Sequence, residues 1–308
     1  MAVTSLAHPQ AGGRSPSGGR GVATAFRSRR ATPYLLLLPG MLWLALFFVV
    51  PLLTLVGTSL QTPLPGGDIG DYQQTFRVAN YWDALQVAQP QFVRSFLYSG
   101  VATVVALLIG YPLAYMIAFR AGRWRNVLLV LVVAPFFTSF LLRTIAWRQI
   151  LAEDGFVTPA LKWAHLVPEG TAMTASQLAV IAGITYNFLP FMTLPLYASI
   201  ERIDPRLLEA GADLYGRPTA VLRRVTLPLS MPGIVSGTLL TFIPAAGDYV
   251  NAALLGNPGT TMVGSVIDAR FFRFVDYPTA AALSFILMAA ILVLVVVYIR
   301  RSGTEELL

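Results

Sequence analysis

Glu209-Ala210-Gly211-Ala212-Asp213-Leu214-Tyr215-Gly216-Arg217-Pro218, closing with Val225-Thr226-Leu227-Pro228, is a long polar stretch set between two strongly apolar ones. It reads as two short helices. Asp204-Pro205 opens the first, because Asp caps free amides and Pro is tolerated at the first helical position. Leu207, Gly211 and Leu214 then fall on one face, and Leu208, Ala212 and Tyr215 on another. Gly216 ends this helix, since glycine enters left-handed geometry cheaply. Pro218 opens a second helix through Ala220, Val221, Leu222 and Val225 to Pro228. Ala210, Gly211 and Ala212 are small enough for another backbone or bulky side chain to approach, and Glu209 beside them has Arg223 or Arg224 as possible partners in its own loop. On spacing alone, an amphipathic connector fits as well as a docking element.

The flanking sequence sets the environment. Of 308 residues, 56% are hydrophobic and 12% charged, against about 25% charged in soluble domains. The apolar run from Tyr34 to Leu60 is too long for a secretory signal core of about 7–15 residues, and Pro39 and Pro51 are expected to kink it. Five further runs reach the roughly 20 residues needed to cross a bilayer: Ser95 to Phe119, Val127 to Ile150, Ala175 to Ile200, Gly233 to Leu255 and Thr279 to Ile299. Such runs without strand-like alternation predict helices. The expected fold is therefore an all-α integral membrane protein with six transmembrane helices. Residues 1–30, rich in Gly, Ser, Pro and Arg, are expected to be a disordered tail. A six-helix transmembrane domain is expected over 31–302, with the polar loop at 201–232, and a short tail over 303–308.

Arginine placement orients the path. The N-terminal tail, the turn with Arg120, Arg123 and Arg125, the loop from Arg202 to Arg224, and Arg300-Arg301 all fall on one side of six crossings. Positive charge gathers on the cytoplasmic side, so both termini and the polar loop are expected there. The same rule explains the net charge of +7 without nucleic acid. With no cysteine, thiolate chemistry is excluded. Two isolated histidines, His8 and His165, make no metal set, and Lys162, the only lysine, does not end a phosphate-binding loop. ATP hydrolysis, if used, belongs to another subunit.

The polar loop resembles the coupling loop of type I ABC-importer permeases, whose pattern is Glu-Ala-Ala, a nearby Gly, then Ile-x-Leu-Pro. Glu209, Ala210, Asp213, Leu214, Pro218, Leu227 and Pro228 match it, and Val225 stands for Ile. Gly211 replaces the second Ala, and Tyr215 takes the usual Gly position with Gly216 one residue later. Further stretches are similar to the spermidine/putrescine branch: Phe242-Ile243-Pro244, Gly247-Asp248-Tyr249, Leu254-Leu255-Gly256, Met262-Val263-Gly264 and Asp276-Tyr277-Pro278. The resemblance implies a non-enzymatic transport subunit of the cytoplasmic membrane. It also implies a second permease subunit, two ATPase subunits that hold ATP and Mg and receive the Glu209 loop, and an extracytoplasmic substrate-binding protein. No cofactor is expected on this chain.

An ionisable group within a span is a functional candidate by default. Asp248 is the clearest, with Tyr249 and Asn251 adjoining; Tyr186 and Asn187 fall near mid-depth of the fourth span. Asp248 would supply a counter-charge for an amine, and Tyr186 or Tyr249 a cation–π face. Thr138, Ser139 and Arg143 are secondary candidates, Arg143 as a gate or structural pair. Three rival readings remain on sequence: an importer permease for thiamine, iron, sulfate or an opine-like ligand; an ion-coupled carrier working alone; and an integral-membrane enzyme, for which the spans offer essentially one acid, Asp248.

Overall fold

The computed structural model describes residues 36–165 and 173–301; the tail at 1–30, the tail at 303–308 and Glu169 lie outside them. The chain divides into two units at Leu55/Val56. Helix α1, Leu36–Ser59, is long and apolar enough to cross a membrane. It contains a π-helical turn at Ala45–Val49, directly before Val50-Pro51. A proline ring cannot fit against the carbonyl four residues earlier in a regular α-turn, and a π-turn relieves that conflict.

In the second unit, a two-stranded antiparallel hairpin (β1, Gln61–Pro63; β2, Tyr72–Gln74) precedes α2, Ala79–Phe119. With 41 residues, α2 is about 62 Å long, so it starts well before the expected Ser95. Helices α3 (Arg125–Val133), α4 (Phe140–Ile150) and α5 (Val157–Trp163) follow, then α6, Gln177–Glu201. Next come α7 (Pro205–Tyr215), α8 (Pro218–Leu229), α9 (Met231–Ala246), α10 (Val250–Leu255), α11 (Val263–Asp268) and α12 (Tyr277–Arg301). Among the described residues four helices, α1, α2, α6 and α12, satisfy the length and apolarity of a crossing. Two bent pairs raise the total to six if each counts as one span.

Two expected spans are not continuous. The run Val127 to Ile150 bends by 98° between Phe137 and Phe140. Thr138 and Ser139 are extended there, just after Pro135 has removed an amide donor. The run Gly233 to Leu255 breaks at Gly247–Tyr249. Asp248 accepts the amide of Asn251 at 2.8 Å, so the chain restarts a helix inside the apolar run instead of extending the first.

Close packing sets α2, α6 and α9 against one another. A Cβ on Gly110 of α2 would lie 3.1 Å from Thr193 Oγ1 and 3.2 Å from Met192 of α6. On Gly233 of α9 it would lie 2.8 Å from the Pro195 carbonyl, and on Gly237 3.0 Å from that of Met192. Small residues at such crossings let apolar helices gain dispersion contacts where lipid offers no hydrophobic drive. Met192, Leu196, Ile200 and Ile117 fill the core beside these crossings, while Ile184, Phe188, Leu255 and Met262 fill the core toward α10. A third cluster, Phe92, Val263, Leu283 and Leu287, seats α12 and α11 on α2. There Ser95 Oγ accepts the buried Val263 amide at 2.8 Å.

Candidate functional site

The polar hairpin is built by local signals. Asp204 Oδ1 accepts the Arg206 amide at 2.9 Å, and Pro205 takes the first helical position. Gly216 closes α7 at φ 68°, its amide donating to Ala212 O at 2.8 Å. Pro218 opens α8, which widens into a π-turn at Leu222–Thr226. That turn sits directly before Leu227-Pro228, as its counterpart in α1 sits before Val50-Pro51. The helix therefore runs past Pro228 to Leu229 with Ser230 as its C-cap, one residue beyond the Pro228 limit that the sequence suggested.

Gly211 is buried, and its neighbours are Val225 and Val221 of the hairpin itself, 3.1 Å and 3.3 Å from where a Cβ would stand. The small-residue groove is thus filled from within. Glu209, Ala210, Asp213, Leu214, Gly216, Pro218, Leu227 and Pro228 are exposed. Leu207, Ala210 and Leu214 form an outward ridge, with Leu214 77% exposed, flanked by Glu209 and Asp213. Among the described residues Glu209 forms no ion pair. Arg224 instead lies 4.9 Å over the Tyr215 ring, which holds α7 to α8 by a cation–π contact. Nearby, Arg125 pairs with Glu201 and stacks at 5.2 Å on Tyr197, tying α3 to the end of α6.

Among the pathway candidates, the structure joins Asp248 to Asn187 through Asn251. Asp248 is 6% exposed. Its oxygens accept the Asn251 amide at 2.8 Å and Asn251 Nδ2 at 2.7 Å. Asn187, 1% exposed, donates to Asn251 Oδ1 at 3.1 Å and to Thr144 Oγ1 at 3.2 Å. Thr144 in turn donates to Phe140 O at 3.0 Å. This buried cluster fastens α4, α6 and α10 at one point. Asp248 lies one residue before the N-cap Tyr249 of α10 and accepts the second amide of that helix, and in this conformation both its oxygens are engaged by Asn251.

Tyr186 and Tyr249 stand apart from that cluster. Tyr186 meets Trp147 edge-on at 5.3 Å and lines an apolar cavity of ≈ 450 Å³ with Ile109, Met173 and Leu189. Tyr249 is half exposed. Arg143 lies over the rings of Phe136 and Phe140, at 5.2 and 5.6 Å, and pairs with no acid among the described residues. Thr138 and Ser139 form the bend before α4. Sequence reasoning missed Thr144. The available signal was a lone Thr among apolar residues, one position after Arg143.

Tyr72 Oη donates to Val275 O at 2.6 Å and fastens the β-hairpin to the segment before α12. Burial, then the neighbouring Asp276 carboxylate, raises the Tyr72 hydroxyl above its ordinary value. Asp276 is itself paired with Arg270 at 3.0 Å.

The family described as "Binding-protein-dependent transport system inner membrane component" matches residues 106–302. The chain is 37% identical over 261 residues to the spermidine/putrescine transport system permease protein PotB of Haemophilus influenzae, covering 84% of this chain and 90% of that protein. It is 34% identical over 264 residues to PotB of Escherichia coli, covering 84% and 94%. Among solved structures, a bacterial ABC transporter that imports the acidic polysaccharide alginate has a chain similar in fold. Its TM-score is 0.68 at 19% identity, over 92% of this chain and 99% of that one.

Proposed function

This chain belongs to the binding-protein-dependent transport system inner membrane component family, and from that premise we propose that it takes spermidine or putrescine through the cytoplasmic membrane as half of a permease pair. It is a multi-pass membrane protein and the permease subunit of an ABC importer, with the type I importer permease fold. The polyamine assignment rests on the PotB relatives.

In this reading ATP is bound and hydrolysed by two separate ATPase subunits, each with a cleft for one α7–α8 hairpin. An extracytoplasmic binding protein delivers the ligand, and both termini and the hairpin lie in the cytoplasm. The observation that carries the reading is the outward ridge of α7. Leu214 and Leu207 are exposed apolar side chains beside two carboxylates with no partner of their own among the described residues. A cleft that covers Leu214 gains about 2 kcal/mol from burial of that side chain. ATP-driven closure of the ATPases then moves the hairpin, and the spans switch between two packed states as rigid bodies. Asp248, Asn187, Tyr186 and Tyr249 are assigned to the region that the substrate passes. Opening of the Asn251 cluster in the other state would free the Asp248 carboxylate for an amine.

The test is ligand-stimulated ATP hydrolysis by the reconstituted complex, with spermidine, putrescine or an unrelated solute carried by the cognate binding protein. Stimulation by the amines alone is expected. In Glu209→Arg the protein should insert in the membrane but lose stimulation, and normal stimulation in that variant would refute the docking role.

A further inference from the structure

We propose that the Tyr111–Ser230 hydrogen bond is the pivot about which the α7–α8 hairpin turns against the bundle, making Tyr111 a positioning residue for coupling; the inference rests on the hairpin being the ATPase-docking element. Ser230 is fully buried at the joint where α8 and α9 meet at 68°. Its Oγ lies 2.9 Å from Tyr111 Oη of α2 and 3.1 Å from Leu227 O. With the Ser230 proton directed at Leu227 O, the Tyr111 hydroxyl donates to Ser230 Oγ. One chain of hydrogen bonds thus runs from α2 into the last turn of α8.

Three observations make this joint the place where motion concentrates. First, Pro228 and Pro232 bracket Ser230 and carry no amide hydrogen, so the backbone ladder is thin on both sides. The amides of Ser230 and Ile234 still bond, to Thr226 O at 2.9 Å and Ser230 O at 3.1 Å. Second, the two sides of the joint are unequal. Beyond it, α9 is locked on α6 through Gly233 and Gly237, and α6 on α2 through Gly110. Before it, the hairpin is closed on itself at Gly211 and by Arg224 on Tyr215. Third, open space flanks the joint on two sides. A cleft of ≈ 310 Å³ separates α2 from the start of α8, lined by Tyr111, Tyr115, Arg120, Pro218 and Leu222. Another of ≈ 380 Å³ lies along Pro195, Ser199, Arg202, Leu229 and Pro232. A rigid hairpin on a backbone-poor joint between two clefts can rock, and a side-chain bond at the joint fixes the axis. Without it, ATPase movement would be absorbed locally instead of reaching α2 and α6.

The experiment compares Tyr111→Phe, Ser230→Ala and their combination in the reconstituted complex, reading ATP hydrolysed per molecule of spermidine imported and the melting temperature. Glu209→Arg serves as the docking control. One net hydrogen bond shifts an equilibrium about two- to tenfold, so each single variant should raise the ATP-to-substrate ratio by that factor. The double variant should do no worse than either single one. A lower melting temperature with an unchanged ratio, or additive effects in the double variant, would overturn the pivot. If Glu209→Arg uncouples while Tyr111→Phe does not, the pivot alone fails. If Glu209→Arg keeps normal stimulated hydrolysis, the docking reading fails and the pivot with it.

Discussion

Exchanging the charges of Asp248 and Asn251 separates a structural role of Asp248 from a transport role. In Asp248→Asn, the new amide oxygen still accepts the Asn251 backbone N–H. Its NH₂ group, however, faces Asn251 Nδ2, which sits 2.7 Å from the carboxylate it replaces. Two donors then confront each other in a site where Asn251 is fully buried. One buried donor left without an acceptor costs about 1–3 kcal/mol, and about 2 kcal/mol is roughly a thirtyfold shift in the folding equilibrium. The reciprocal change, Asp248→Asn with Asn251→Asp, restores every pairing. Asn at 248 donates to the carboxylate at 251, which also accepts Asn187 Nδ2 in place of the present 3.1 Å contact. A negative charge stays in the first turn of α10, where the helix dipole favours it. Thermal melting of the purified protein in detergent should therefore show a clear loss in the single variant and recovery of most of it in the double. A single variant as stable as the parent, or a double variant no more stable than the single, would refute this account of the cluster. Uptake in proteoliposomes adds the functional arm. Polyamine uptake should fall in Asp248→Asn. Return of uptake with stability assigns Asp248 to holding the joint, and stability without uptake assigns its carboxylate to the substrate.

Gly183→Ala tests the same region from α6. The new Cβ would lie 2.8 Å from Asn251 Oδ1 and closer still to Leu255, so α10 must shift; a loss of about 1–3 kcal/mol should appear as a lower melting temperature with membrane insertion kept. Tyr72 offers a pH test. Its folded value is raised, so its contribution is fully present below the ordinary tyrosine value of about 10 and is lost only as pH rises through the higher folded value. Ultraviolet titration of the parent minus Tyr72→Phe should show this phenol ionising later than a free tyrosine; an earlier ionisation would contradict the burial of its bond to Val275.

What could be read in the sequence was what local chemistry determines. Asp204-Pro205, Gly216 and Pro218 each act on the chain within one turn, and each lands where the residues indicated. Spans were legible because apolar length alone selects a helix in lipid. The breaks within spans were harder to see. Asp248 caps Asn251 three residues on, a pattern present in the sequence but submerged in the apolar run from Gly233 to Leu255. The contacts of Thr144 with Asn251, and of Asn251 with Asn187, join positions 107 and 64 residues apart, and no periodicity reports a meeting of that kind. Gly211 was singled out correctly as a site of close approach, but the approaching group is Val225, which only the folded hairpin shows.

That last difference bears on how force would travel. With Gly211 sealed against Val221 and Val225, the inner face of α7 is already occupied, and a docking partner would meet the exposed side of the hairpin, including the ridge of Leu207, Ala210 and Leu214. A load on that ridge moves α7 and α8 together, since separating them would expose the valines and break the Arg224–Tyr215 contact. The displacement must then be taken up at Ser230, where two prolines thin the ladder, and handed to α9. Helix α9 meets α6 between Met192 and Ser199. Asn187 lies five residues before Met192 on that same helix, about 7.5 Å along its axis. A rigid α6 therefore carries a shift received at its glycine contacts directly to the amide that fastens Asn251, and through it Asp248. If the hairpin is the docking element proposed above, its movement would thus bear on the bond that holds the one acid of the fifth span.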